Sequence, residues 1–232
     1  MLARNSSLGI MKISLLKTGL LMLMRPWLWS VRPLRISDLL DNPIDQFEKW
    51  FNRAKRCLSL EFPEAMCLST LGTDGYPEGR MVLLKSFSAA GFVFYTNILS
   101  QKGRALAQLP RAALTMYWEP LQRQVRIVGD IEAVTPEEAD TYFATRIRGS
   151  RIGAWASLQS EALPSRSVLD KRVEQYTKLY KNKDVPRPPH WSGFRLKPIR
   201  IEFWQLRANR LHDRFLYTKT AKGEWEKKRL YP

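Results

Sequence analysis

The stretch FRLKPIRIEFWQLRANRLHDRFLY, residues 194–217, decides how this chain is read. Residues 194–206 and 211–217 are two β-like runs with a short connection between them. On an extended chain successive side chains alternate between faces. Arg210, His212 and Arg214 then share one face, and Leu211, Asp213 and Phe215 share the other. The chain has only two histidines, and here one of them stands between two arginines. Such a row repels itself unless an anion or an electron-rich ligand lies against it. The plain alternative is a solvated edge strand, since arginines are usually exposed. The rest of the chain has to decide between them.

Outward from this stretch the same strand pattern recurs. Residues 65–70, 79–87, 91–97, 113–118, 123–134 and 224–230 read as further strands, with TDGYPEG as a turn before Arg80. That many short runs with turn signals between them predict an antiparallel barrel or sandwich. A helix is predicted to precede them, with Asn42 as its N-cap, Pro43 at its first position and an apolar stripe of Phe47, Trp50, Phe51, Ala54 and Leu58. Three more helices are expected. Residues 100–109 start from Ser100, residues 135–146 carry a Thr135–Glu138 capping box, and residues 167–180 have a mixed charged face. VPRPPHWSG, 185–193, reads as loop.

A chain of 232 residues with a 44% apolar fraction suits one domain, or at most two. The net charge of +16 suits anionic partners. It is spread along the chain rather than gathered in a tail, which disfavours a nucleic-acid arm. Cys57 and Cys67 are too few for a disulfide framework and lack the histidines of a zinc site, so no metal is expected. Residues 1–37 hold no Asp or Glu and read as a basic leader. Its apolar runs are broken by Lys12, Lys17 and Arg25, so no membrane span is expected. Cytoplasmic residence is expected, or an organelle such as the mitochondrion if the leader is a transit peptide.

Three basic clusters could carry chemistry. In RMVLLK, Arg80 and Lys85 bracket an apolar run and, on one strand, would face opposite ways. In YTNILSQKGR a strand leads into a helix start bearing Ser100, Gln101 and Lys102. A lysine there is unhelpful to the helix dipole, but a phosphate would be at home. In TYFATRIRGS, Tyr142 and Arg146 share a helix face, with Ser150 on it if the helix continues. Each cluster alone could be an ordinary solvated surface. Walker, GxGxxG, HExxH, GxSxG and CxxC patterns are missing, so the difficult chemistry is expected to belong to a bound cofactor.

The motifs RMVLLK, FYTN followed by S-x-K, RQVRI-x-G, YF-x-x-R, SRIGAWAS-x-QS, EFWQ and RLHDR resemble, in order and spacing from about residue 38 onward, the pyridoxamine 5′-phosphate oxidase family. The resemblance implies a mainly β chain with flanking helices: an antiparallel, Greek-key-like, FMN-binding split β-barrel over residues 38–232. It implies a homodimer with FMN at the subunit interface. The reaction implied is oxidation of pyridoxamine or pyridoxine 5′-phosphate by O2 to pyridoxal 5′-phosphate and hydrogen peroxide, with no nucleic-acid or membrane partner. Motif by motif, the implied FMN contacts are Arg80, Met81, Val82, Leu83, Leu84, Lys85, Tyr95, Thr96, Gln101, Lys102, Gln124, Gln159, Ser160, Trp204 and Arg214. The implied substrate contacts are Lys85, Tyr142, Arg146, Ser150, Arg210, Leu211 and His212, with Arg210 and His212 as the catalytic pair.

Departures from the family pattern are local. Gln101 stands where arginine is common, which implies weaker FMN binding. Ile147 replaces a common proline, and Arg151 a common glutamine. The Arg-x-x-Tyr of the family's N-terminal arm is not found in MRPWLWSVRPLR, residues 24–35. The competing readings are another flavoenzyme on the same barrel, a non-catalytic flavin or pyridoxal-phosphate binder, and a nucleic-acid module.

Overall fold

The computed structural model describes residues 32–232. Of the leader expected over residues 1–37, residues 1–31 lie outside the described residues and 32–37 are within them. The first helix, α1, spans Pro43–Lys55, and the Asn42 side chain accepts the Ile44 N–H as predicted. Phe47, Trp50, Phe51 and Ala54 bury the expected stripe. Leu58 does not join it. The helix ends at Lys55, and Leu58 is fully exposed beyond that end.

The hairpin of β1 (Ala65–Leu71) and β2 (Pro77–Leu83) comes next. The single strand expected over 79–87 is broken: β2 stops at Leu83, and a short β3 covers Ser86–Ser88. Leu84 turns into the core between them, and the Lys85 N–H bonds the Val93 carbonyl. Arg80 and Lys85 therefore lie on different segments, and the one-strand parity argument does not apply to them. Then follow β4 (Gly91–Asn97), α2 (Gln101–Gln108), β5 (Arg111–Trp118) and β6 (Arg123–Ala133). Three helices come after: α3 (Pro136–Thr145), α4 (Arg148–Ala156) and α5 (Arg166–Leu179). The chain ends with β7 (Trp191–Gln205), β8 (Asp213–Lys219) and β9 (Trp225–Leu230).

All strand pairs among the described residues are antiparallel, in the order β2-β1-β5-β6-β7-β4-β3, with β8 and β9 branching from β7. The long β7 is the fork. Its first half, Trp191–Leu196, pairs with β4, and its second half, Arg200–Gln205, pairs with β8. The sheet curls around α1 but stays open between its β2 and β3 ends, which makes it a split barrel. Phe47 fills the middle, edge-on to Phe87 and Phe92 at 4.9 Å each, and Trp50 packs edge-on to Phe203 at 5.1 Å.

The segment before α1 is strapped across the β7–β8 side. The Leu34 N–H bonds Asp213 Oδ2 at 3.0 Å, Gln205 Nε2 donates to the Arg32 carbonyl at 2.8 Å, and the Tyr217 hydroxyl donates to the Leu40 carbonyl at 2.6 Å.

Candidate active site

A cavity of ≈ 650 Å³ opens where β2, β4, the start of α2, α3 and α4 meet. Eleven of the residues singled out from the sequence line it: Met81, Val82, Leu83, Lys85, Tyr95, Thr96, Lys102, Tyr142, Arg146, Ser150 and Gln159. Sequence reasoning did not assign as contacts Asn97, Ile147, Gly153, Ala154, Ser157 and Trp191, which line it too. Trp191 closes a proline-rich loop, and nothing in its local sequence marks it as a wall.

One end of the cavity is a helix start. The Ser100 side chain caps α2 by accepting the Gly103 N–H. A Cβ on Gly103 would lie 2.1 Å from the Ile98 carbonyl oxygen, so the close approach of helix to strand requires glycine there. Lys102 is buried, with Nζ 3.0 Å from both Ser100 Oγ and Gln159 Oε1. No carboxylate is among these partners. Burial lowers its pKa, and the nearby Arg80 charge lowers it further. A buried cation at a helix N-terminus, held only by neutral oxygens, is suited to an anionic ligand.

The other end is an aromatic and cationic clamp. Tyr95, Tyr142 and Trp191 stack, with ring centroids 4.2 Å apart for Tyr95–Tyr142 and 5.3 Å for Tyr95–Trp191. Gly193 permits the stack, since a Cβ there would lie 2.6 Å from the Tyr95 ring. The Arg146 guanidinium lies 4.8 Å over Trp191, and Lys85 Nζ lies 5.9 Å from the Tyr142 ring centre. Arg146 Nη1 is buried without a hydrogen-bond partner, and burial lowers the Arg146 pKa. An orphaned guanidinium donor of this kind favours an incoming oxyanion.

Tyr142 and Arg146 were expected on one helix face, with Ser150 joining them only if the helix continued, but α3 stops at Thr145. Arg146 and Ile147 take extended backbone, and Ser150 sits in the first turn of α4. The bend still brings all three to the cavity wall.

The remaining predicted residues lie elsewhere. Leu84 is in the core. Arg80, on β2, donates to Glu78 Oε2 and Thr70 Oγ1 at 2.6 Å each. Gln101 donates to Glu78 Oε1. Ser160 is exposed, with a left-handed φ of 76°. None of these lines the cavity.

A second cluster forms at the far end of β7. Gln124 pairs across the ladder with Trp204, and Trp204 with Arg214. His212 lies 4.6 Å from Trp204, ring to ring. The single strand expected from 211 starts only at Asp213. Before it, Asn209 and Arg210 are left-handed, with φ of 57° and 61°, so Arg210 is not in register with Arg214. Such backbone is strained for residues other than glycine and has to be held by its surroundings. The ties are visible. The Arg207 N–H donates to His212 Nδ1 at 3.2 Å, and buried Asp213 pairs with Arg229 at 2.6 Å and Arg207 at 3.6 Å. Because Nδ1 is an acceptor here, the neutral ring carries its proton on Nε2. Arg214 Nε bonds Glu202 at 2.8 Å. Leu211 is exposed.

Comparison with known proteins matches this chain twice. The family model described as pyridoxamine 5′-phosphate oxidase covers residues 56–205, and a pyridoxine 5′-phosphate oxidase C-terminal dimerisation region covers residues 191–232. A pyridoxine/pyridoxamine 5′-phosphate oxidase of Myxococcus xanthus is 52% identical over 82% of this chain and 92% of its own length. One of Nostoc punctiforme is 51% identical over 82% of this chain and 89% of its own length. Among solved structures, PhzG from Burkholderia lata, in complex with tetrahydrophenazine-1-carboxylic acid, is similar with a TM-score of 0.80 at 29% identity, over 88% of this chain and all of that one. A pyridoxamine 5′-phosphate oxidase-related, FMN-binding protein of Nostoc punctiforme shares the fold, with a TM-score of 0.65 at 17% identity, over 82% of this chain and 98% of that one.

Proposed function

The chain belongs to the pyridoxamine 5′-phosphate oxidase family, and from that premise we propose that it is an FMN-dependent oxidase of phosphorylated B6 vitamers. Pyridoxine 5′-phosphate and O2 would give pyridoxal 5′-phosphate and hydrogen peroxide. Pyridoxamine 5′-phosphate would consume one water as well and release ammonia. FMN, when bound, supplies the two-electron acceptor and passes those electrons to O2.

The observation that carries this reading is Arg146, which has a buried and unpartnered Nη1 and lines a cavity together with Lys85, Tyr142 and Ser150. These four would hold the substrate phosphate. The flavin phosphate would fall to the other end, where buried Lys102 stands at the α2 N-terminus near Arg80, with Gln101 adjacent in sequence and Ser160 next to Gln159, which accepts from Lys102. Two anion sites in one cavity suit a phosphorylated cofactor beside a phosphorylated substrate. Gln124, Trp204 and Arg214 would touch the flavin. Arg210 and His212 would lie against the pyridine ring, where Arg210 offsets developing negative charge and the His212 Nε2–H donates to a ring oxygen.

Trp191 lines the cavity, while Trp204 sits thirteen residues along the same strand. At about 3.3 Å per residue that is up to ~40 Å of strand. The cavity and the Arg210–His212 cluster of one protomer therefore belong to opposite ends of β7. A homodimer, in which the partner brings that cluster, resolves the separation.

The test is aerobic incubation of FMN-loaded protein with pyridoxine 5′-phosphate, following aldehyde and peroxide together. Equimolar formation of both is expected. A yellow protein that turns over no phosphorylated vitamer would move the assignment to another flavin-dependent oxidation on this barrel.

A further inference from the structure

We propose that Glu78 is a built-in competitor of the flavin phosphate and sets how tightly this chain holds FMN. The inference rests on the FMN reading above. Glu78 and Arg80 are two apart on β2 and so project to the same face. One Glu78 oxygen accepts from Arg80 Nη2 at 2.6 Å, and the other accepts from Gln101 Nε2. Both members of the Glu78–Arg80 ion pair are largely shielded, with side-chain exposures of 23% and 20%. A single carboxylate thus ties β2 to the first residue of α2.

That position is where an anion gains most, between an arginine and a helix N-terminus. Of the groups assigned to the flavin phosphate, Arg80 and Gln101 are already engaged by Glu78. Lys102 alone among the cations is held by neutral oxygens. Arg80 and Lys102 bring two positive charges, and Glu78 cancels one of them before the cofactor arrives. A phosphate dianion must either displace the Glu78 carboxylate or lie beside it. Both cost affinity. Gln101 deepens the effect, because it is neutral and one of its two amide N–H groups is spent on Glu78.

Wild-type protein, Glu78→Gln and Glu78→Ala would be titrated with FMN and with riboflavin, reading flavin-fluorescence quenching. Both variants are expected to bind FMN about tenfold tighter, equivalent to ~1.4 kcal/mol, and riboflavin no differently from wild type. The dependence on the phosphate isolates the competitor role. FMN binding that is unchanged or weaker would overturn the inference and make Glu78 a residue that orients Arg80. Equal shifts for both flavins would overturn it too, because the effect would then not concern the phosphate. If wild-type protein takes up neither flavin, the FMN reading itself fails, and this inference with it.

Discussion

Two side chains carry most of the proposed chemistry, and each has its own test. Arg146 holds an unpaired buried donor in the cavity wall. A charge-assisted hydrogen bond to an oxyanion is worth about 1.5–3 kcal/mol. Arg146→Ala should therefore raise KM for pyridoxine 5′-phosphate roughly 10- to 100-fold, with little change in kcat and none in bound FMN. Steady-state kinetics with flavin quantified by absorbance read all three. His212 is the second case. Burial lowers its pKa below the ordinary 6.5, the Arg210 and Arg214 charges lower it further, and Asp213 opposes them. Protonation would also place a hydrogen on Nδ1, where the Arg207 N–H already points. The working form is thus neutral, and kcat/KM should hold near neutrality and fall as the pH drops through that lowered pKa. In His212→Gln an amide can donate from about the Nε2 position without titrating. The expected outcome is a loss of less than about tenfold near neutral pH, since the donor is kept and a full hydrogen bond is worth about that much, with the acid limb due to His212 gone from the profile. An unchanged acid limb would assign it to another group.

At the scale of elements, the strap of residues 32–41 across β7 and β8 depends on few bonds. Tyr217 supplies one, through its hydroxyl to the Leu40 carbonyl, and burial pushes its pKa up to about 12. A phenol whose folded pKa exceeds its unfolded value of about 10 contributes stability fully below pH 10. That contribution fades as pH climbs from 10 through 12. Tyr217→Phe should cost about 1 kcal/mol at pH 8 and flatten this part of the alkaline decline, as read by denaturant unfolding at pH 8 and pH 11. Element identity was largely legible in the sequence wherever a local signal existed. The Ser100 and Thr135 caps mark α2 and α3, and Gly91–Asn97 is bounded as predicted. Helix α4 was not legible: it starts after Ile147 without a side-chain cap and contains Gly149 and Gly153, both poor helix formers. The Arg210 conformation was hidden for a related reason. Alternation presumes extended backbone, and two left-handed residues reset the parity just before β8. The Glu78 bridge joins residues 23 apart in sequence, so no local pattern announces it.

For the whole molecule, the decisive fact is that β7 holds the two halves of the proposed site at opposite ends. The cavity cluster stands with Trp191 and the Arg210–His212 cluster beyond Gln205. A symmetric dimer offers two composite sites, each made from one protomer's cavity and the other's loop. This predicts complementation between two impaired variants when they are assayed at pyridoxine 5′-phosphate concentrations below the wild-type KM, where the raised KM of Arg146→Ala shows as lost rate. Arg146→Ala removes the phosphate clamp, and Arg210→Ala removes the ring contact. In a heterodimer of the two, one composite site carries both substitutions and the other carries neither. Co-refolding equal amounts should give heterodimers as about half of the population by random pairing, each with one intact site. The mixture should then recover about a quarter of wild-type activity, while either variant alone stays near its own low rate. Activity that never exceeds the average of the two variants, in a mixture shown by mass spectrometry to contain heterodimers, would mean that each protomer completes its own site. The strand length set by residues 191–205 argues against that outcome, because β7 runs as one strand between the two clusters, with a register shift near Pro198–Arg200.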